Sequence, residues 1–87
     1  MKGTMRLVVA MYLAGISSAF AGPVNINTAD AETLQRELKG VGEARAAAII
    51  QDRQANGPFE SPEDIVRVDG IGEVLFEQNK DNIKIKD

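Results

Sequence analysis

Two short glycine turns are the features of this sequence that could do chemistry. The stretch "KGVGEARAAAII" at 39–50 holds a Gly-Val-Gly step, and "DGIGEVLFEQN" at 69–79 repeats it as Gly-Ile-Gly. Glycines permit backbone angles that other residues resist, and they allow another backbone to come close. Each turn opens a predicted helix, whose first N–H groups have no intrahelical partner and carry the positive end of the helix dipole. Each turn is therefore predicted to bind one phosphate.

The two turns form an internal repeat with a period of thirty residues. Leu38 and Val68 occupy equivalent positions before the turns, while Val41 and Ile71 lie inside them and are expected to point toward the core. A repeated helix–turn–helix unit predicts two similar hairpins about a pseudo-twofold axis. Two turns at a fixed separation suit two phosphates of a nucleic-acid backbone. Turn chemistry alone leaves a second interpretation open, in which the glycines serve only close packing of the helices.

About four short helices are predicted to position these turns, so the fold class is all-α. Thr28 or Asp30 can cap the first helix, and the second runs from about Glu43 to Gln54. The "SPED" signal at 61–64 starts the third helix, and the last follows the second turn. No stretch alternates convincingly like a strand. The apolar side chains expected on the inner faces are Leu34, Leu38, Ala46, Ile49, Ile50, Ile65, Val66, Val68, Leu75 and Phe76.

The first 21 residues show the three parts of a secretory signal peptide. Lys2 and Arg6 form a positive start, an apolar run follows, and Ala19-Phe20-Ala21 matches a cleavage site. Residues 1–21 are therefore predicted to be a cleaved signal peptide, and residues 22–87 a single periplasmic domain. An uncleaved membrane anchor or a buried N-terminal helix is the alternative.

The composition argues against an enzyme. The chain contains neither cysteine nor histidine, which removes thiolate chemistry, the commonest general base and the commonest metal ligand. Acidic residues are numerous, but most fall in the first turns of helices or on exposed faces, where they stabilise the dipole or solvate the surface. We expect no catalytic residue, no metal site, no cofactor and no small-molecule substrate.

The charge balance requires any nucleic-acid binding to be local. The chain carries 10 basic and 13 acidic residues, and the predicted signal peptide removes two basic residues, Lys2 and Arg6, and no acidic ones. Residues 22–87 therefore hold 8 basic against 13 acidic residues, a net charge of −5. A nucleic-acid-binding domain normally shows a basic footprint, and this one shows none globally.

The pattern aliphatic-x-Gly-aliphatic-Gly-x-x-x-Ala is the helix-hairpin-helix motif, and the first turn matches it in full from Leu38 to Ala46. The second turn matches from Val68 to Gly72, with Phe76 in the alanine position. Together with "VNINTADAETL" and "NGPFESPEDI", the chain from about Val24 to Ile83 resembles the ComEA family of exported DNA-binding competence proteins.

The resemblance implies a tandem helix-hairpin-helix fold that binds double-stranded DNA without sequence preference during natural transformation. The implied partners are the DNA phosphate backbone and proteins of the DNA-uptake machinery. In the family, hairpin N–H groups contact phosphates and a basic residue early in the following helix assists, a role that falls here to Arg45. The residues that the resemblance assigns to DNA are Lys39, Gly40, Val41, Gly42, Arg45, Gly70, Ile71 and Gly72.

The second hairpin departs from the family pattern. Val74 stands where family members often carry lysine, and Asp69 precedes the second turn where Lys39 precedes the first. DNA binding is therefore expected to depend more on the first hairpin. The alternative is a periplasmic protein–protein interaction module, similar to the extrinsic photosystem II subunit PsbU, that keeps the fold without binding DNA. Further lysines that could assist a DNA site are Lys80, Lys84 and Lys86, although Lys84 and Lys86 are expected in a solvated tail.

Overall fold

The structure, a computed structural model, describes residues 23–87, so the predicted signal peptide lies outside the described residues. In chain order the elements are β1 (Val24–Asn25), α1 (Ala31–Glu37), α2 (Glu43–Asn56), the 3₁₀ helix η1 (Pro62–Arg67), α3 (Glu73–Asn79), the 3₁₀ helix η2 (Lys80–Asn82) and β2 (Ile83–Lys84). The helical fold class is confirmed. Among the helices described here, none has the length and apolar character needed to cross a membrane.

Side-chain caps fix where α1 and η1 begin. Asp30 is the cap of α1, because its Oδ1 accepts the N–H of Thr33 at 2.8 Å. Asp64 caps η1 by accepting the N–H of Glu60 at 2.9 Å and that of Ser61 at 3.3 Å with Oδ2. The start signal at 61–64 thus works as predicted, although the element it opens is a 3₁₀ helix and not an α-helix.

The prediction that Val66 faces the core is wrong. A 3₁₀ helix has three residues per turn, so side chains at positions i and i+3 lie on the same face. Ile65 and Val68 are three apart and each is only 2% exposed, whereas Val66 is 38% exposed on another face. The tighter helix therefore buries two of the three predicted apolar side chains of this segment.

One apolar core joins the helices and the ends of the described chain. Its buried members are Val24, Ile26, Leu34, Leu38, Val41, Ala46, Ile49, Phe59, Ile65, Val68, Ile71 and Ile83. Ile50, Leu75 and Phe76 are half-buried and pack against it. The expected inward direction of the two turn residues is confirmed, because Val41 is 5% and Ile71 is 4% exposed.

A two-stranded parallel sheet is present that the sequence did not predict. Val24 lies opposite Ile83, and Asn25 lies opposite Lys84. Strands of two residues are too short to show an alternating pattern. Asn27 reinforces this closure, because its Nδ2 donates to Phe59 O at 3.0 Å and to Ile85 O at 2.9 Å.

Two arginines serve packing. Arg53 donates from Nη1 to Ile26 O at 2.8 Å. Arg67 lies over the Phe59 ring, 4.5 Å from its centroid, and its Nε pairs with Asp52 Oδ1 at 2.6 Å. Both guanidinium groups therefore join segments that are distant in the chain.

Candidate nucleic-acid interface

The two glycine turns repeat the same backbone hydrogen bonds thirty residues apart. In the first hairpin, Val41 N–H donates to Leu38 O at 3.3 Å, and Ala46 N–H donates to Gly42 O at 2.9 Å. The equivalent bonds of the second hairpin are both 3.0 Å long. The first bond closes the turn and the second begins the next helix, so each hairpin presents the same backbone shape.

The first residue of each turn must be a glycine, because its backbone angle disfavours any side chain. Gly40 has φ 75° and Gly70 has φ 89°, in the region that residues with a Cβ rarely adopt. The second glycines, Gly42 and Gly72, have ordinary negative φ and cap α2 and α3 without a side-chain bond. The sharp turn therefore depends on the first glycine of each pair.

The turns leave amide groups available for a ligand. Among residues 23–87, the N–H groups of Gly40 and Gly42 have no hydrogen-bond partner, and neither do those of residues 43–45 in the first turn of α2. The equivalent amides of Gly70, Gly72 and residues 73–75 are likewise unpartnered within the described part of the chain. Val41 and Ile71 differ, because their amides donate within their own turns and their side chains anchor those turns.

Each hairpin places one side chain against the glycine of the other. Arg45, on α2, donates from Nε to Gly70 O at 2.7 Å and from Nη1 to Gly40 O at 3.4 Å. Leu75, thirty residues later on α3, lies so close to Gly40 that its Cδ1 would be 2.7 Å from a Cβ there. This reciprocal exchange of equivalent positions supports the predicted pseudo-twofold arrangement, with one polar and one apolar contact.

Asn79 anchors the first turn by hydrogen bonds, and it was not identified from the sequence. It is 5% exposed; its Oδ1 accepts Lys39 N–H at 2.7 Å, and its Nδ2 donates to the carbonyls of Lys39 and Leu75, both at 3.0 Å. The thirty-residue repeat could have identified this residue, because it aligns Asn79 with Ile49, which is fully buried. A polar residue at a repeated core position indicates a buried hydrogen-bonding role.

The electrostatic surroundings of the two turns differ. Lys39 and Arg45, both exposed, flank the first turn. Asp69 precedes the second turn. Val74, where the family resemblance implies a lysine, is 74% exposed. The predicted site residues thus come together as two turns, with the basic side chains on the first.

The C-terminal lysines are partly engaged. Lys80 Nζ lies 3.0 Å from Glu77 Oε1, and this hydrogen bond raises the pKa of Lys80 above its ordinary value. Lys84 Nζ lies 3.6 Å from Asp87 Oδ1. Residues 23–87 contain no cluster of three carboxylates, histidines or cysteines that could hold a metal ion.

Comparison with known proteins identifies the family. A family described as "Helix-hairpin-helix motif" matches residues 19–84. The chain is 52% identical over 63 residues to ComE operon protein 1 of Bacillus subtilis, a match that covers 72% of this chain and 30% of that protein. It is 43% identical over 60 residues to an uncharacterized protein of Haemophilus influenzae, covering 69% of this chain and 54% of that one.

A more distant match is human endonuclease/exonuclease/phosphatase family domain-containing protein 1, 42% identical over 55 residues. That match covers 63% of this chain and 10% of the human protein. The chain therefore spans about a third to a half of the first two relatives and a small segment of the third. Together with the paired hairpins, these matches show that the chain belongs to the ComEA-type helix-hairpin-helix family.

Proposed function

We propose that this protein binds double-stranded DNA without sequence preference, through amides of its two hairpins and the phosphates of the duplex. The observation that carries the proposal is the pair of turns with the same backbone bonds and the same unpartnered amides. Amides at the start of a helix suit an anion, and the dipole of α2 adds to the attraction. The proposed site consists of two turns, with Lys39, Gly40, Gly42 and Arg45 at the first and Gly70 and Gly72 at the second. Val41 and Ile71 belong to it as the buried anchors of the turns.

The proposed binding is weak and leans on the first hairpin. Lys39 and Arg45 flank that turn, whereas Asp69 and Val74 flank the second. A domain with few basic contacts and a net negative charge is expected to bind with a Kd of roughly 10⁻⁴–10⁻⁶ M, the range of non-specific DNA binding. The role that fits the family is capture of incoming DNA during natural transformation, together with proteins of the uptake machinery.

The test is a titration of the protein with duplex DNA at low and moderate salt. Each basic residue that contacts a phosphate contributes about 1 to the slope of log affinity against log salt. Lys39→Ala is expected to reduce the slope by about 1. Lys86→Ala is the matched control, because it removes the same charge from an exposed lysine outside both turns, and should leave the slope unchanged.

The second candidate is a protein-interaction module. Val74 is exposed and lies beside Glu73 on α3, and the net charge of residues 22–87 is −5. Both features suit a protein partner better than a phosphate backbone. Absence of DNA binding by the parent at low salt would favour this candidate and reject DNA binding.

We also propose that the domain acts outside the cytoplasmic membrane after cleavage following Ala21. The charged start, apolar run and Ala-Phe-Ala step of residues 1–21 support this localisation. Mass spectrometry of the exported protein tests it, with the mass of residues 22–87 as the expected result. The intact mass would instead indicate a retained anchor.

A further inference from the structure

Arg45 donates hydrogen bonds to backbone carbonyls of both hairpins. Its Nε donates to Gly70 O at 2.7 Å, and its Nη1 donates to Gly40 O at 3.4 Å. These two carbonyls belong to equivalent residues, the first glycine of each turn. The guanidinium therefore links the two turns directly, and the separation of the turns decides whether they fit two phosphates of one duplex.

The residue type at position 45 suits this role. The guanidinium is planar and presents several donors in a rigid fork, so one side chain reaches two acceptors, whereas a lysine ammonium is a point charge on a flexible stem. Hydrogen bonds with a charged donor are also stronger than neutral ones. Leu75 holds the equivalent position in the second hairpin and has no donor, so among residues 23–87 Arg45 alone makes this polar connection between the turns.

The Arg45 side chain packs directly against Gly70. A Cβ on Gly70 would lie 3.5 Å from Arg45 Nε and 3.6 Å from its Cγ, directly against the side chain. These are ordinary contact distances, so position 70 requires glycine because of its positive φ, and the arginine packs directly on the turn.

We propose that Arg45 acts as a positioning residue, which sets the spacing of the two hairpins, while Lys39 supplies the positive charge that attracts phosphate. The inference rests on the proposed DNA binding and deepens it by separating these two tasks. It differs from the expectation raised by the family resemblance, in which Arg45 itself contacts phosphate.

The experiment compares Arg45→Lys, Arg45→Ala and Lys39→Ala in the full protein. Arg45→Lys keeps the positive charge but removes the planar set of guanidinium donors. The first readout is the NMR amide spectrum of the protein without DNA, followed at Gly70, Ile71 and Gly72. The second is affinity for duplex DNA over a series of salt concentrations, and thermal unfolding confirms that each variant is folded.

If Arg45 is a positioning residue, both Arg45 variants shift the second-turn amide signals in the free protein. Both weaken DNA binding to a similar extent, about fivefold to tenfold, because the second turn is no longer held where it suits the duplex. Their salt slopes stay parallel to that of the parent. Lys39→Ala leaves the second-turn signals in place and reduces the slope by about 1.

Two results would overturn the inference. Arg45→Lys could bind DNA as well as the parent, or Arg45→Ala could reduce the slope by about 1 while the second-turn signals stay fixed. Either outcome makes Arg45 a direct phosphate contact. If the parent binds no DNA, the proposed function fails. The amide spectrum then still decides whether Arg45 positions the second turn, because that readout needs no ligand.

Discussion

Gly40 combines a backbone angle that other residues resist with a close neighbour. Its φ is 75°, and Leu75 Cδ1 would lie 2.7 Å from a Cβ at this position. We expect Gly40→Val to lower the free energy of unfolding by about 1–3 kcal/mol, the usual cost of a sparsely populated backbone conformation. Urea unfolding measures the change.

The matched control is Gly42→Ser in the same turn. Gly42 has a negative φ, no atom would lie within 4 Å of a Cβ there, and serine is a favoured residue at the cap of a helix. This variant is expected to equal or exceed the parent in stability. Equal stability of Gly40→Val and the parent would show that the turn does not require a positive φ.

Asn79 joins the first turn to α3 through two hydrogen bonds with Lys39, and it makes a third to Leu75 O within α3. Asn79→Ala leaves the N–H and carbonyl of Lys39 without their side-chain partner, so the free energy of unfolding should fall by about 1–3 kcal/mol. Gln78→Ala is the control, since Gln78 is exposed and neighbours Asn79 on the same helix. Equal urea midpoints for the two variants would mean that water replaces the amide without cost.

Single residues differ in how far the sequence reveals them. The first glycine of each turn follows from local chemistry, because a residue with a Cβ rarely adopts its positive φ. The contacts of Asn79 and Arg45 join residues 40 and 25 positions apart, and no local pattern encodes such pairs. For that reason neither the partners of Asn79 nor the carbonyl partners of Arg45 could be predicted from the sequence.

At the scale of the elements, the start of η1 depends on one carboxylate. The Glu60 N–H, assisted by that of Ser61, lowers the pKa of Asp64 below its ordinary value, against a smaller opposing effect of desolvation. A carboxyl whose pKa is lower in the folded state contributes stability that is present above its unfolded pKa of about 3.9. That contribution is lost as the pH falls through the folded pKa.

Asp64→Asn removes this titrating group while keeping the shape of the side chain. The parent should lose more stability than the variant when urea midpoints are compared from neutral pH down to below about pH 4. Other carboxylates, such as Asp30, whose pKa is lowered mainly by the backbone hydrogen bond of Thr33, titrate alike in both proteins and cancel in the difference. Parallel pH profiles would contradict the capping role of Asp64.

The elements were predicted as far as local signals reach. Caps at Asp30 and at 61–64 place helix starts correctly, because capping uses neighbouring residues. The choice of a 3₁₀ helix for η1 was not predictable, since the Ser-Pro-Glu-Asp signal suits the first turn of either helix type. That choice also decides that Val66 points away from the core.

For the whole molecule, the contact between the two ends of the described chain could not be predicted from the sequence. The β1–β2 pair and the Asn27–Ile85 contact link residues about 60 positions apart, and each strand has only two residues. The repeat of thirty residues, in contrast, predicted the global arrangement of the hairpins. An internal repeat carries long-range information because two copies of one unit must bury their apolar faces against each other.

The charge asymmetry of the whole molecule leads to the last prediction. Val74 is 74% exposed at the start of α3, so a lysine there can extend into solvent without disturbing the core. If the two hairpins bind one duplex, Val74→Lys adds a phosphate contact at the weaker hairpin. Affinity for duplex DNA should rise, and the salt slope should steepen by about 1.

Gln54→Lys is the matched control for the added charge. Gln54 is exposed near the far end of α2, about 18 Å along the helix from Gly42. A site at the hairpins predicts that Val74→Lys strengthens binding and that Gln54→Lys does so much less. Equal gains from both lysines would assign the effect to net charge alone. If neither the parent nor Val74→Lys binds DNA at low salt, the protein-interaction module becomes the better account. In that case the lysine that the family resemblance implies would not have restored a DNA site.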